Sequence, residues 1–359
     1  MPNQTTFQDQ LSEIIELALQ KEATDIHLSV DNEPMLRIDG DIAKLPGHPP
    51  LKEEDTEGYA NVIIPEERRG KFLENKDIDL SFHYRKKARF RVNIYHQLGS
   101  ISIAMRYLPN EIQTIDDLKL PEVCYKFTKA NQGFFLVVGP SGQGKSTALA
   151  AILNEINYSR AEHIITIEDP VEYLFPQDGK SIIEQRELGK DVKSFKRGLR
   201  EAFRQDPDVI MLGEMRDAQT ISSAVTAAET GHLVMTTLHT NTAAQTINRI
   251  IDSFPPHQQG QIRTQLAANI VGVLSRRLVP TKDGGLINAV EVMIANSAIR
   301  NLIREKKTHQ IHTVIETSSD EGMISLNRSL AGLVNDNKIT LEQAQRFSNN
   351  PAELGLLLK

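Results

Sequence analysis

The chain has 359 residues, enough for two domains of ordinary size, and with 40% apolar and 25% charged residues it is neither a disordered nor a fibrous protein. A formal net charge of −6 speaks against a nucleic-acid partner, which usually requires a basic face. No run reaches the roughly 20 apolar residues of a membrane helix, and the polar start from Met1 to Leu11 lacks a signal pattern. Cys124, the single cysteine, excludes an internal disulfide and a cysteine zinc cluster, and reads as a small core residue of a protein in a reducing cytoplasm.

Residues 7–23 place Leu11, Ile14, Ile15, Ala18 and Leu19 on one side of a helix. Short alternating strands are expected to follow, first at Ile26, Leu28 and Val30. After a turn at Asn32-Glu33-Pro34, a hairpin at Asp39-Gly40 joins Leu36–Ile38 to Ile42. Further strands carry Leu80, Phe82 and Tyr84; Phe90, Val92 and Ile94; and Ile101, Ile103 and Met105. Residues 1–108 thus read as an α+β domain with an antiparallel sheet. Alternation sends Arg89, Arg91 and Asn93 to the side opposite Phe90, and Arg106 opposite Met105. Arg91 and Arg106 therefore stand on polar faces of neighbouring strands; the plain alternative is a solvated basic face shared with Lys86 and Lys87. Residues 109–120, with Pro109 and Asn110 and Pro121 just beyond, read as a linker. From 121 to 359 the pattern becomes unbroken apolar runs, Phe134–Val138 and Val209–Leu212, separated by helical stretches. Such runs suit strands buried on both faces of a parallel sheet, so this domain is α/β.

Gly139, Pro140, Ser141, Gly142, Gln143, Gly144, Lys145, Ser146 and Thr147 follow the first run and open a helical stretch. This is the P-loop (Walker A) pattern in the context it requires. Its glycines let backbone N–H groups turn toward phosphates, and the helix N-terminus favours negative charge. Lys145 is expected to reach the terminal phosphates of ATP, and the Ser146 hydroxyl to ligate Mg²⁺.

Three more segments end buried strands with polar groups: His163–Ile167 leads into Glu168-Asp169-Pro170, Val209–Leu212 into Gly213-Glu214-Met215-Arg216-Asp217, and Leu233–Thr237 into Leu238-His239-Thr240. Ligands of open α/β sheets bind beyond the carboxyl ends of strands, so these segments and the P-loop form one candidate site. ATP hydrolysis needs a base for water and a carboxylate for Mg²⁺, and Glu168 and Glu214 divide these two roles, in either order. His239 is a candidate γ-phosphate sensor or a structural histidine, and His232 is a weaker candidate.

With these residues in place, a family is recognisable. Glu168-Asp-Pro-Val-Glu-Tyr173, Gly213-Glu-Met-Arg-Asp217, and Glu229-Thr-Gly-His-Leu-Val with Thr237-Leu-His-Thr240 resemble the Asp box, Walker B and His box of the secretion ATPases. These are the motors of type II and type IV secretion and of type IV pili. Ala23-Thr-Asp-Ile-His-Leu28 and Ala88-Arg-Phe-Arg-Val-Asn93 are similar to the N-terminal domain of that family, and the resemblance runs from about residue 10 to residue 347. It implies a PAS-like α+β domain followed by a RecA-like P-loop ATPase domain with C-terminal helices, Mg²⁺-dependent ATP hydrolysis, and a homohexameric ring. It further implies that Arg91 and Arg106 reach the nucleotide. Of the two orders open to the glutamates, the expected one has Glu168 as the base and Glu214, with Ser146, on the Mg²⁺ side.

Ala298-Ile-Arg-Asn-Leu-Ile-Arg-Glu305 resembles the signature of the pilus-retraction branch. Extension motors carry a four-cysteine zinc site and extra N-terminal domains, for which this chain has no room. Retraction and twitching motility are thus implied, together with a cytoplasmic place at the inner membrane, a platform protein as partner, a paralogous retraction ATPase as a second partner, and no nucleic acid. Two departures stand out. Gln143 replaces a small Ser or Thr, and the tail from Ser348 is more similar to an accessory retraction paralogue. The rival readings are such an accessory subunit and a RecA-like nucleic-acid translocase.

Overall fold

The structure, a computed structural model, describes residues 4–38, 40–85, 87–109 and 111–358. Asp39 of the expected hairpin turn, Lys86 of the basic face, Asn110 of the expected linker, Met1 to Asn3 of the polar start and Lys359 of the tail lie outside the described residues. The chain forms two units: Met1–Glu111 with Pro170–Leu174, and Ile112–Asp169 with Phe175–Lys359.

In the first unit the order is α1 (Gln4–Gln20), β1 (Asp25–Leu28), β2 (Met35–Ile38), β3 (Asp41–Lys44), α2 (Glu53–Ile63), α3 (Glu66–Asn75), β4 (Asp77–Tyr84), β5 (Ala88–Gln97) and β6 (Ser100–Leu108). The strands form a sheet in the order β3-β2-β1-β6-β5-β4, antiparallel at every step. Leu11, Ile14, Ile15 and Ala18 of α1 share a core with Tyr59, Ala60 and Ile63 of α2 and with Phe90, Val92, Ile94, Ile103 and Met105 of the sheet. At Gly58, α2 approaches α1 so closely that a Cβ would sit 2.5 Å from the Phe7 ring. Arg89, expected on the face opposite Phe90, is covered rather than solvated. It is 5% exposed, and its guanidinium donates to the carbonyls of Val171 and Glu172 at 2.7 and 3.2 Å. The segment Pro170–Leu174 covers a position that alternation alone would leave in water.

The second unit begins within the expected linker. Thr114 and Asp117 exchange bonds across a turn, each backbone N–H donating to the other's side-chain oxygen at 2.9 and 3.0 Å, and Ile115, Leu118 and Leu120 are buried. There follow α4 (Cys124–Thr128), β7 (Gly133–Val138), α5 (Lys145–Ser159), β8 (His163–Glu168), β9 (Ile182–Glu187), α6 (Phe195–Ala202), β10 (Val209–Leu212), α7 (Ala218–Glu229), β11 (Leu233–Leu238), α8 (Ala243–Asp252), α9 (Pro256–Asn269), β12 (Ile270–Pro280) and β13 (Leu286–Ile294). The C-terminal helices are α10 (Ser297–Arg304), α11 (Ile311–Thr317), α12 (Leu326–Asn335), α13 (Leu341–Phe347) and α14 (Pro351–Leu357). The sheet runs β13-β12-β7-β11-β10-β8-β9, parallel throughout except for the edge strand β13. All six residues of β7 and all four of β10 are buried, as strands covered on both faces must be. Val279, Ala289, Leu326, Leu330, Ala331, Ile339, Ala344 and Leu354 form a second cluster that joins the last helices to β12 and β13.

Cys124 is wholly buried, and burial pushes its thiol up to about 12, so it is an inert core residue. Among the described residues no helix is long and apolar enough to cross a membrane.

Candidate active site

The order β7-β11-β10-β8 sets the carboxyl ends of four parallel strands side by side. Val138 is level with Leu238, and Leu212 with both Thr236 and Ile167. The polar residues that follow these strands therefore converge, although they lie far apart in sequence.

The loop from β7 into α5 takes positive φ at Gly139, Gly142 and Gly144, and at the first and last of these a side chain would also collide. Gly139 has φ +150°, and a Cβ there would lie 2.5 Å from the Arg276 carbonyl oxygen. Gly144 has φ +68°, and its Cβ would lie 2.5 Å from Arg276 Nη1. The turn delivers Lys145, Ser146 and Thr147 as the first turn of α5, the end of a helix that favours negative charge. Lys145 folds back over the loop, donating from Nζ to the Pro140 carbonyl at 2.9 Å. The Gln143 side chain turns the other way, where its Oε1 accepts the Leu278 N–H at 2.7 Å and ties the loop to β12.

Glu168 closes β8 and is 6% exposed. Its Oε1 accepts from Thr166 Oγ1 at 2.7 Å and from Gln185 Nε2 at 3.1 Å, which fixes the carboxylate. Glu214 follows β10, where it pairs with Arg216 and meets His239 Nε2 at 3.3 Å. Thr237 Oγ1 donates to the Gly213 carbonyl at 2.6 Å and joins the ends of β11 and β10. His239 Nδ1 lies 3.4 Å from both Lys145 Nζ and Ser141 Oγ. Burial, then the nearby cations Lys145 and Arg216, hold the His239 ring below the ordinary histidine range. Lys145 can only donate, so Nδ1 accepts, and the ring proton sits on Nε2, directed at Glu214. A cavity of about 300 Å³ opens here, lined by Glu214, Arg216, Leu238, His239, Arg249 and Ser253 among others.

His232 is not brought to this site. It precedes β11, a strand of six residues, and so lies roughly 20 Å from His239. There it contacts the Ala227 carbonyl at 3.0 Å and the Phe203 ring. Asp217 caps α7, accepting the N–H groups of Gln219 and Thr220 at 3.0 and 2.9 Å. Burial acts to raise its pKa, but these hydrogen bonds prevail and lower it.

In the first unit Arg91 and Arg106 are direct cross-strand partners. Like charges so placed repel, and each has its own carboxylate: Asp79 at 3.6 Å from Arg91, and Asp25 at 2.8 Å from Arg106. Burial works against ionisation of Asp25, yet the hydrogen bonds from Arg106 and Thr24 hold its pKa below the usual range. The Arg106 side chain remains 70% exposed. Sequence reasoning missed Thr166, Gln185, Arg276 and Asn288, none of which belongs to a contiguous motif.

Comparison with known proteins gives a consistent result. The model of the type II/IV secretion system protein family matches residues 3–346. The type IV pilus retraction ATPase PilT of Pseudomonas aeruginosa is 40% identical over 95% of this chain and 98% of its own length. The type IV pilus ATPase PilU of the same organism is 34% identical over 98% of this chain and 91% of its own. A crystal structure of the pilus retraction motor PilT with bound ADP superposes with a TM-score of 0.89 and 46% identity, covering 96% of this chain and 98% of that one.

Proposed function

The chain belongs to the type II/IV secretion system protein family, and from that premise we propose that it is the ATP-hydrolysing motor of type IV pilus retraction and twitching motility. The observation that carries the proposal is the convergence of the phosphate loop, Glu168, Glu214 and His239 at four neighbouring strand ends. Lys145 binds the β- and γ-phosphates, while the N–H groups at the start of α5 hold their oxygens. Glu168, nearly buried and oriented by Thr166 and Gln185, takes the proton of the attacking water. His239, neutral and within reach of Lys145, reports on the γ-phosphate.

Mg²⁺ fits the donors present, because the Ser146 hydroxyl and the Glu214 carboxylate are hard oxygen ligands at the mouth of the loop. Bound there, the ion would neutralise charge on the phosphate oxygens. Arg91 and Arg106 supply guanidinium groups to the phosphoryl oxygens, and the aspartates that hold them in this structure would be exchanged for phosphate.

The relatives named for pilus retraction support work on a pilus; a homohexameric ring at the cytoplasmic face of the inner membrane is what the resemblance to secretion ATPases implies. A platform protein is the partner to be turned, and a paralogue similar to PilU is a second partner. A RecA-like translocase would differ by responding to nucleic acid. Purified protein should hydrolyse ATP only with Mg²⁺ and without stimulation by DNA or RNA. Folded Lys145→Ala should be inactive, and Glu168→Gln should bind ATP but turn over about 10²–10⁴-fold more slowly. Near-normal turnover in Lys145→Ala would remove the nucleotide from this loop, and stimulation by DNA would favour the translocase.

A further inference from the structure

Behind the phosphate loop lies a buried arginine that has no part in the chemistry described so far. Arg276 is 3% exposed. Its Nη1 donates to the Gly144 carbonyl, and its Nε donates to Asn288 Oδ1 at 2.5 Å. Asn288 in turn donates from Nδ2 to the Leu118 carbonyl. Strand register builds this chain of bonds: β12 runs beside β7 and carries Arg276, and β13 sets Asn288 opposite Leu278. The same stretch of β12 holds Gln143 through the Leu278 N–H, so two successive loop residues are fastened to it.

We propose that Arg276 and Asn288 form a relay that couples occupancy of the phosphate loop to residues 112–120, the stretch through which the chain leaves the first unit. One peptide plane makes the connection. Its carbonyl, that of Gly144, accepts both Arg276 and the Ala148 N–H at 3.0 Å. Its N–H belongs to Lys145, the first residue of α5, at the helix end where phosphates would bind. The peptide is rigid, so a shift of the N–H toward a bound phosphate turns the carbonyl against the guanidinium. A buried guanidinium cannot release a carbonyl without leaving a donor unpaired, so Arg276 follows and takes Asn288 with it. Leu118, buried at the other end, receives the displacement. Gly144 itself fits this role, because Arg276 Nη1 occupies the place where any Cβ would be. Arg276 is thus a positioning residue, acting on the nucleotide only through the loop.

The relay rests on the phosphate-loop reading, and hydrogen–deuterium exchange of the full chain separates the two. In the wild type, ADP with Mg²⁺ should slow exchange both in the loop and at residues 112–120. Asn288→Asp keeps an acceptor for Arg276 but loses the donor to Leu118. It should bind ADP as the wild type does and lose only the response at 112–120. Arg276→Gln should lose that response and weaken ADP binding about tenfold, as expected for one charge-assisted bond. Should that variant fold poorly, Arg276→Lys, whose single ammonium cannot hold Gly144 and Asn288 together, should show the same loss of response. A wild type that binds ADP with no change at 112–120, or an Asn288→Asp protein that keeps the change, would overturn the relay alone. A wild type that binds no ADP would overturn the relay and the nucleotide site together.

Discussion

His239 shows how the charges around one side chain set its state. Its pKa is depressed by burial first and by Lys145 and Arg216 after that, so the ring is neutral near pH 7. A depressed histidine pKa means that the folded chain binds the proton less readily than the unfolded one. The stability it contributes is therefore present above the unfolded value, near 6.5, and is lost as pH falls through the folded value. Nitrogen-15 NMR should find the Nε2–H tautomer and a midpoint below 6.5, and Lys145→Ala should raise that midpoint by removing a cation. A midpoint at or above the ordinary value, or one indifferent to Lys145, would refute this account of the ring. At this scale the sequence is legible where chemistry is contiguous. Gly139 to Thr147 form an unbroken motif, and Glu168, Glu214 and His239 each end an apolar run. Arg276 was not legible, because its partner Gly144 lies 132 residues away and the contact depends on strand register. The burial of Arg89 was not legible either, because alternation cannot foresee the segment that covers it.

The retraction-like signature at 298–305 divides into two kinds of residue once α10 is in place. Ile299 and Ile303 are fully buried. Arg300 donates from Nε to the Ala295 carbonyl at 2.9 Å, and from Nη1 to Ala267 at 2.8 Å and to Ala268, carbonyls left open at the end of α9. Arg304 is exposed and bonds to its helix neighbour Asn301. Arg300→Ala should therefore destabilise the fold by about 1–3 kcal/mol, read as a lowered denaturation midpoint. Arg304→Ala should leave stability and basal ATP hydrolysis unchanged while impairing retraction in cells. Equal loss of hydrolysis and retraction in Arg304→Ala would indicate a general folding defect instead of a role in transmitting motion. Periodicity found the elements with strong patterns, β5, β7 and β10 among them. It gave no sign of α2 and α3, whose first turns are acidic; α3 buries Phe72 alone, and the buried side of α2 includes Thr56 and Gly58. It missed the edge strand β9 as well, where Ile182 is 64% exposed and the alternation breaks.

Across the whole molecule, the proposed function asks residues of the first unit to act on a nucleotide bound by the second. Arg91→Ala and Arg106→Ala should retain ATP binding and lose most turnover, since a guanidinium at the γ-phosphoryl group is worth ~10³–10⁵ in rate. Lysine should rescue poorly, because one ammonium cannot reproduce the planar fork. Mixing Arg106→Ala with Lys145→Ala subunits should restore part of the activity if the arginine serves a neighbouring subunit, and none if it serves its own. Near-wild-type hydrolysis by both alanine variants would return these residues to a solvated sheet face. Direction of work is the central claim, and it is tested most directly by counting surface pili in cells that lack this chain. Retraction predicts that pili accumulate while twitching stops, and that wild-type protein, but not Lys145→Ala, restores both to normal. A strain that loses its pili, or that keeps normal pili and twitches, would contradict the account.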